Sequence, residues 1–108
     1  MALVQKTVNI TPAANTVTDL YTPTTGRWAT CSSLAIHNDN AALTVAVRFM
    51  FAPGGVADAN SHRYYDLQIP PGDTFVATIG LCVNGTDVVR VWSDTLRTNF
   101  FLSMQEGP

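Results

Sequence analysis

A period-two alternation of apolar and polar residues is the sequence feature that most constrains what this chain can fold into. It is clearest in 43–51, where the apolar positions are Leu43, Val45, Val47, Phe49 and Phe51. Successive side chains of a strand point to opposite faces, so this alternation predicts a strand with one buried face. The sequence has no helix-length segment with a 3.6-residue period. The chain is therefore predicted to be built from strands.

Further segments of the chain have strand-like patterns, and turn sequences separate them. In 28–37 the pattern places Trp28 on one face with Leu34 and Ile36, and in 63–69 it places Tyr65 with Leu67 and Ile69. Proline and glycine occur between the segments, where turns need fixed or positive φ. About eight antiparallel strands, with no helix to serve as a crossover, predict a β-sandwich of jelly-roll or immunoglobulin-like form. The other predicted strands are 2–10, 16–21, 75–83, 87–93 and 98–105.

Length and composition agree with one all-β domain spanning 1–108. The chain has 108 residues, of which 46% are hydrophobic, and Thr and Val are frequent, at 14 and 11 copies. β-Branched residues favour strands. A net charge of -2 argues against nucleic-acid binding by charge. No apolar run reaches the roughly 18 residues of a membrane helix, and the first residues do not read as a signal peptide, so neither a membrane partner nor export is expected.

The sequence has few candidate residues for a redox, metal or catalytic site. Cys31 and Cys82 lie too far apart for a CxxC redox or zinc motif, and the choice between a disulfide and two free thiols stays open, with free thiols favoured. His37 precedes an Asn-Asp-Asn run that is typical of a hairpin turn rather than of a calcium or catalytic site. The serines lack a strained elbow, and no close pair of carboxylates suggests general acid–base work. We therefore expect no enzyme activity, no metal and no cofactor.

Some strands are apolar on both faces, which a lone sandwich does not require. In 87–93, Val89 and Val91 share one phase while Arg90 and Trp92 lie on the other. Arg outnumbers Lys by five to one, and Arg and aromatic residues are enriched where proteins meet. The hypothesis is a second, partner-facing surface. The alternative, equally open, is that these side chains cap the core edges. The proposed interface residues are Arg48, Met50, Arg90, Trp92 and Phe101.

Three aromatic residues could instead form a platform for binding sugars. Its candidates are Trp28, Tyr64 and Tyr65. Because consecutive strand residues point to opposite faces, Tyr64 and Tyr65 cannot belong to one platform, and one of the two is expected in the core.

A series of strand and turn motifs runs from Leu20 to Glu106. It includes 20–23 (LYTP), 33–38 (SLAIHN) and 43–47 (LTVAV), and it is clearest in 65–75 (YDLQIPPGDTF), 86–93 (TDVVRVWS) and 100–106 (FFLSMQE). In this order the motifs resemble a group of short β-sandwich virion proteins of tailed bacteriophages. The loop 52–61 has no matching feature, and Cys82 stands where a plain apolar residue would serve.

The resemblance implies a non-enzymatic structural component of the virion, present in many copies and assembled in the host cytoplasm. Within that group the expected role is a capsid cement or decoration protein that stabilises the head shell. Its expected partners are further copies of itself, with a homotrimer favoured, and the major capsid protein. One alternative is a tail, baseplate or fibre component. Another, from a different class, is a carbohydrate-binding adhesion module.

Overall fold

Antiparallel strands make up most of the described part of the protein. The computed structural model describes residues 3–24, 26–55 and 62–107, apart from the side chain of His62. A short 3-10 turn, Pro53–Gly55, follows the fourth strand. Within the described residues the strands are β1 (Val4–Ile10), β2 (Thr18–Tyr21), β3 (Trp28–Asn38), β4 (Val45–Ala52), β5 (His62–Ile69), β6 (Thr74–Asn84), β7 (Val88–Ser93) and β8 (Thr98–Gly107).

The strands form two four-stranded sheets that face each other. The first sheet has the order β1-β8-β3-β6 and the second has the order β2-β7-β4-β5. The pairs β1 with β8, β2 with β7, β3 with β6 and β4 with β5 are nested, so the chain is one long hairpin wrapped into a sandwich. This arrangement of eight strands is a jelly roll. The predicted antiparallel sandwich is confirmed, in the jelly-roll rather than the immunoglobulin-like form.

The core lies between the two sheets and is apolar. The predicted alternation of 43–51 is confirmed for Val45, Val47 and Phe49, which are buried, whereas Leu43 precedes β4 and is 55% exposed. Each fully buried Val, Leu, Ile or Phe side chain contributes about 1.5–3 kcal/mol. The largest buried apolar side chains are Leu34, Ile36, Phe49, Ile69, Phe100 and Leu102.

A β-bulge reverses the predicted faces of the first half of β3. The register of β3 shifts between Cys31 and Ser33 against both of its neighbours, β6 and β8. Ala29 and Cys31 are consequently buried together with Leu34, while Trp28 is 40% exposed. The prediction that Trp28 shares a face with Leu34 and Ile36 is wrong, because the extra residue of a bulge changes the phase of the strand.

A second bulge changes the faces of β5. Val47 pairs with Leu67, but Phe49 pairs with Tyr64, so two residues of β5 stand opposite Arg48. Asp66, one of these two, has a φ of 54°. Tyr64 packs against the core and Tyr65 is 60% exposed. The prediction that Tyr65 shares a face with Leu67 and Ile69 is therefore wrong, whereas the expectation that one of the two tyrosines lies in the core is confirmed for Tyr64.

A buried asparagine closes one end of the sandwich. Asn38 is fully buried, and its Nδ2 donates to the carbonyl oxygens of Leu43, Ile69 and Pro70 at 2.7, 3.0 and 3.1 Å. Its Oδ1 accepts from the backbone N–H of Asn40 at 3.0 Å. The prediction of a hairpin turn at the Asn-Asp-Asn run 38–40 is wrong, since β3 and β4 belong to different sheets. The side-chain amide instead satisfies backbone groups where the chain crosses between them.

Candidate protein interface

An arginine held between two aromatic rings lies on the outer face of the second sheet. The Cζ of Arg48 is 4.1 Å from the ring centroid of Trp92 and 4.2 Å from that of Tyr65. Its Nε donates to Asp66 Oδ1 at 2.8 Å, and this hydrogen bond raises the pKa of Arg48 above its usual value. A guanidinium over an aromatic face is attracted by about 0.5–1 kcal/mol at an exposed site. Arg48 is thus held in one orientation.

The position of this stack follows from the pairing of the strands. Arg48 of β4 is directly opposite Trp92 of β7. On the other side of Arg48, the bulge of β5 turns both Tyr65 and Asp66 toward it. Cross-strand neighbours on one face approach to about 5 Å, close enough for these side chains to stack. Three strands therefore contribute to one cluster, which we call the Arg48 cluster: Arg48, Tyr65, Asp66 and Trp92.

The next pair along the same strands extends this surface. Met50 is opposite Arg90, and it is only 6% exposed although it lies outside the core cluster. Arg90 Nε donates to Asp19 Oδ1 at 2.8 Å, and its Nη2 donates to the carbonyl oxygen of Gly55 at 3.1 Å. Its Nη1 is buried with no hydrogen-bond partner among the described residues. Arg90 is therefore fixed, and Met50 offers little accessible area of its own.

Phe101 does not belong to this surface. It lies on β8 of the first sheet, opposite Ala35 and Asn9, and is 37% exposed. The prediction that all five interface residues share one face is wrong for Phe101, because the two sheets present opposite outer faces. The structure brings together Arg48, Met50, Arg90 and Trp92. Sequence reasoning missed Tyr65 and Asp66, since their position depends on a bulge that period-two alternation does not reveal.

A buried carboxylate links the two sheets at one end. Glu106 of β8 is 1% exposed, and its Oε2 accepts from the Tyr21 hydroxyl of β2 at 2.6 Å and from Lys6 Nζ at 3.1 Å. Arg27 Nη1 lies 3.9 Å from its Oε1. The Tyr21 hydrogen bond, more than the Lys6 ammonium, lowers the pKa of Glu106 to about 2, against the opposing effect of burial. Burial and this carboxylate raise the pKa of Tyr21.

The two cysteines are free thiols on opposite faces of the first sheet. Cys31 is buried and Cys82 is exposed. Cys82 pairs with Thr30, and Cys31 pairs with Leu81. The two cysteines are therefore in neighbouring residue pairs of the β3–β6 ladder, and their side chains point to opposite faces. Burial raises the pKa of Cys31 to about 11, which keeps it protonated and unreactive at neutral pH.

The described ranges provide no group of three or more His, Cys, Asp or Glu side chains placed to hold a metal ion. His37 Nδ1 lies 2.8 Å from Thr74 Oγ1, and His37 Nε2 is 3.9 Å from Asp39. Within the same part of the chain, no helix is long and apolar enough to cross a membrane.

The fold and the surface together define an all-β jelly-roll domain with an arginine–aromatic cluster on one outer face. Comparison with protein-family models and with curated proteins finds no match for the chain.

Proposed function

We propose that this protein is a non-enzymatic structural component of a tailed-phage virion, and that it binds the head shell as a capsid cement or decoration protein. The observation that carries the proposal is the Arg48 cluster on the outer face of a jelly roll. Jelly rolls form viral capsid domains, although fold alone does not determine function. The motif resemblance to short phage virion proteins supports the same class.

The chemistry of the Arg48 cluster suits a protein partner. Arg, Trp and Tyr are the residue types that most often contribute large binding energies in protein interfaces. Arg48 is held by Asp66 and by both rings, so docking would freeze little additional side-chain motion. Arg90 is similarly fixed by Asp19. We propose that this face contacts a second copy of the chain or the major capsid protein.

The proposed assembly rests on the symmetry of the proposed site of action. Three identical subunits at a local threefold point of a shell bind it through three contacts at once. Linked contacts raise the overall affinity well above that of one subunit. A homotrimer is therefore the proposed assembly.

Replacing Trp92 with aspartate tests the proposal. Trp92→Asp places a carboxylate on the cluster and removes one ring from Arg48. We expect the wild-type protein to be trimeric by light scattering and to co-sediment with purified heads that lack it. The variant should lose the trimer or bind heads at least tenfold more weakly.

The matched control is Leu96→Asp, which also replaces an apolar side chain with a carboxylate, at an exposed position between β7 and β8. It should leave both properties intact, and circular dichroism should show both variants folded. A Trp92→Asp protein that assembles and binds heads normally would contradict the proposed interface. A wild-type protein that is monomeric and fails to bind heads would contradict the proposed function.

A further inference from the structure

The described strands of the first sheet direct no Lys, Arg, Asp or Glu side chain to the outer face. Lys6 and Glu106 are the only Lys, Arg, Asp or Glu residues in β1, β3, β6 and β8. Both occupy inward positions of their strands, opposite Met104 and Val4, and they pair with each other at 3.1 Å. By contrast, the strands of the second sheet contain Asp19, Arg48, Arg63, Asp66 and Arg90. The two outer faces therefore differ in chemistry.

Neutral hydrogen-bonding side chains fill the middle of this face. β1 supplies Gln5 and Thr7, and β8 supplies Gln105, which pairs with both Gln5 and Thr30. Within the described part of the chain, these four side chains form no hydrogen bond of their own. Amides and hydroxyls both donate and accept hydrogen bonds, so all the donors and acceptors of these side chains are available to a ligand on the outer face.

The same side chains line a groove of about 400 Å³. Its polar walls are Gln5, Thr7, Thr30, Ser32, Ser103 and Gln105. The inward-facing residues Lys6 and Met104 also border it, with the Lys6 ammonium bound to Glu106. The β3 bulge beside Ser32 coincides with the groove, and a bulge bends its strand and increases the local twist of the sheet.

Exposed aromatic rings lie on this face on both sides of the groove. Trp28 is 40% exposed and Phe101 is 37% exposed. The Trp28 indole rests on Gly107, where an added Cβ would come within 2.4 Å of Cζ2. Gly107, which marks the position of Trp28, lies six residues along β8 from Phe101, and a rise of ~3.4 Å per residue separates the two by about 20 Å. The polar groove lies between them, at Ser103 and Gln105.

We infer that this groove binds a neutral oligosaccharide. A sugar presents many hydroxyl groups that each need a donor or an acceptor and no charge partner, which matches the Gln, Ser and Thr walls. Its C–H faces pack on exposed aromatic rings, the role of Trp28 and Phe101. Jelly rolls also form lectin domains.

A protein partner suits this face less well than it suits the Arg48 cluster. Ser and Thr are under-represented among the residues that dominate protein interfaces. The inference does not depend on the proposed role at the shell, since the groove and the Arg48 cluster lie on opposite sheets. If the groove does not bind a sugar, the proposed role of the Arg48 cluster is unaffected, and the reverse also holds.

The test is a glycan array of neutral hexasaccharides that also carries sialylated and sulfated members, followed by calorimetry with each neutral hexasaccharide that binds. Wild-type protein should bind at least one neutral member. Trp28→Ala and the double variant Gln5→Ala/Gln105→Ala should each weaken that binding about tenfold or more. The double variant changes only exposed side chains, so it tests the groove even if Trp28→Ala affects folding.

Gln68→Ala is the matched control, because Gln68 is an exposed glutamine on β5 of the other sheet. It should bind the hexasaccharide as the wild type does. The inference is overturned by an array on which no neutral sugar binds, or on which only charged members do. It is also overturned if the double variant and wild type bind equally. The same variants should still bind heads, which separates this site from the Arg48 cluster.

Discussion

Glu106 links the two sheets in a way that makes the stability of the folded protein depend on pH. Its carboxylate is buried at the end of β8 and accepts a hydrogen bond from Tyr21 in the opposite sheet. Its pKa is lowered from 4.5 to about 2 in the folded protein. A lowered carboxyl pKa stabilises the folded state fully above the unfolded pKa, and this contribution disappears as pH falls through the folded value.

Acid should therefore destabilise the protein between about pH 4.5 and pH 2. Tyr21→Phe removes the main cause of the lowered pKa, so the folded pKa should rise toward the unfolded value and the loss of stability in acid should become smaller and span a narrower pH range. Urea unfolding at a series of pH values measures this, with the Glu106 carboxyl resonance followed by NMR. Glu106→Gln, which cannot titrate, should flatten the same part of the profile. An unchanged acid profile in Tyr21→Phe would contradict this role for the hydroxyl.

Several of these residues could not have been identified from the sequence. Glu106 is the only glutamate of the chain, but nothing local shows that Tyr21, 85 positions away, donates to it. Trp92 and Arg90 could be identified, because their strand is apolar on both phases. Asp66 could not, since its approach to Arg48 requires the β5 bulge.

Among the secondary-structure elements, the bulges account for the main differences between prediction and structure. Period-two alternation identified the strands, and the predicted faces of β4 were right for Val45, Val47 and Phe49 because the inserted residues lie in β5 and the pairing of β4 with β7 has no register shift. In β3 and β5 the predicted faces are wrong on one side of the bulge, because one inserted residue shifts the alternation of the side chains. A bulge of ordinary residues carries no composition signal comparable to an Asn-Gly turn.

The last residue of β8 controls the position of Trp28. A Cβ at position 107 would lie within 3 Å of three indole atoms, so Gly107→Ala should push the ring away from the sheet. We expect a loss of about 1–2 kcal/mol in the free energy of unfolding and a shifted Trp28 indole N–H resonance. The Trp92 resonance is the internal reference and should not move. A Trp28 resonance unchanged by the substitution would contradict the packing of the ring on Gly107.

For the whole molecule, the jelly roll separates two surfaces of different chemistry. One sheet presents Arg48, Trp92 and Tyr65, and the other presents an uncharged groove beside Trp28. Sequence reasoning gave the antiparallel sandwich, because alternation and turns are local. It left the jelly-roll and immunoglobulin-like forms open, since strand order depends on contacts between distant segments such as β1 and β8. The neutral face becomes visible only once that order is known.

The proposed capsid role makes this separation a statement about orientation. With the Arg48 cluster turned toward the shell, the first sheet would face outward and leave its groove accessible. A decoration protein placed this way would stabilise the head through one sheet and contact sugars through the other.

The most direct test of the proposed function is a cryo-electron microscopy reconstruction of the intact phage particle to which this protein is proposed to belong. The account predicts jelly-roll density on the outside of the head in threefold groups, with the sheet that contains Arg48 and Trp92 against the shell or a neighbouring subunit. Density confined to the tail, baseplate or fibres would contradict the head placement. Density for the protein nowhere in the particle would contradict the account as a whole.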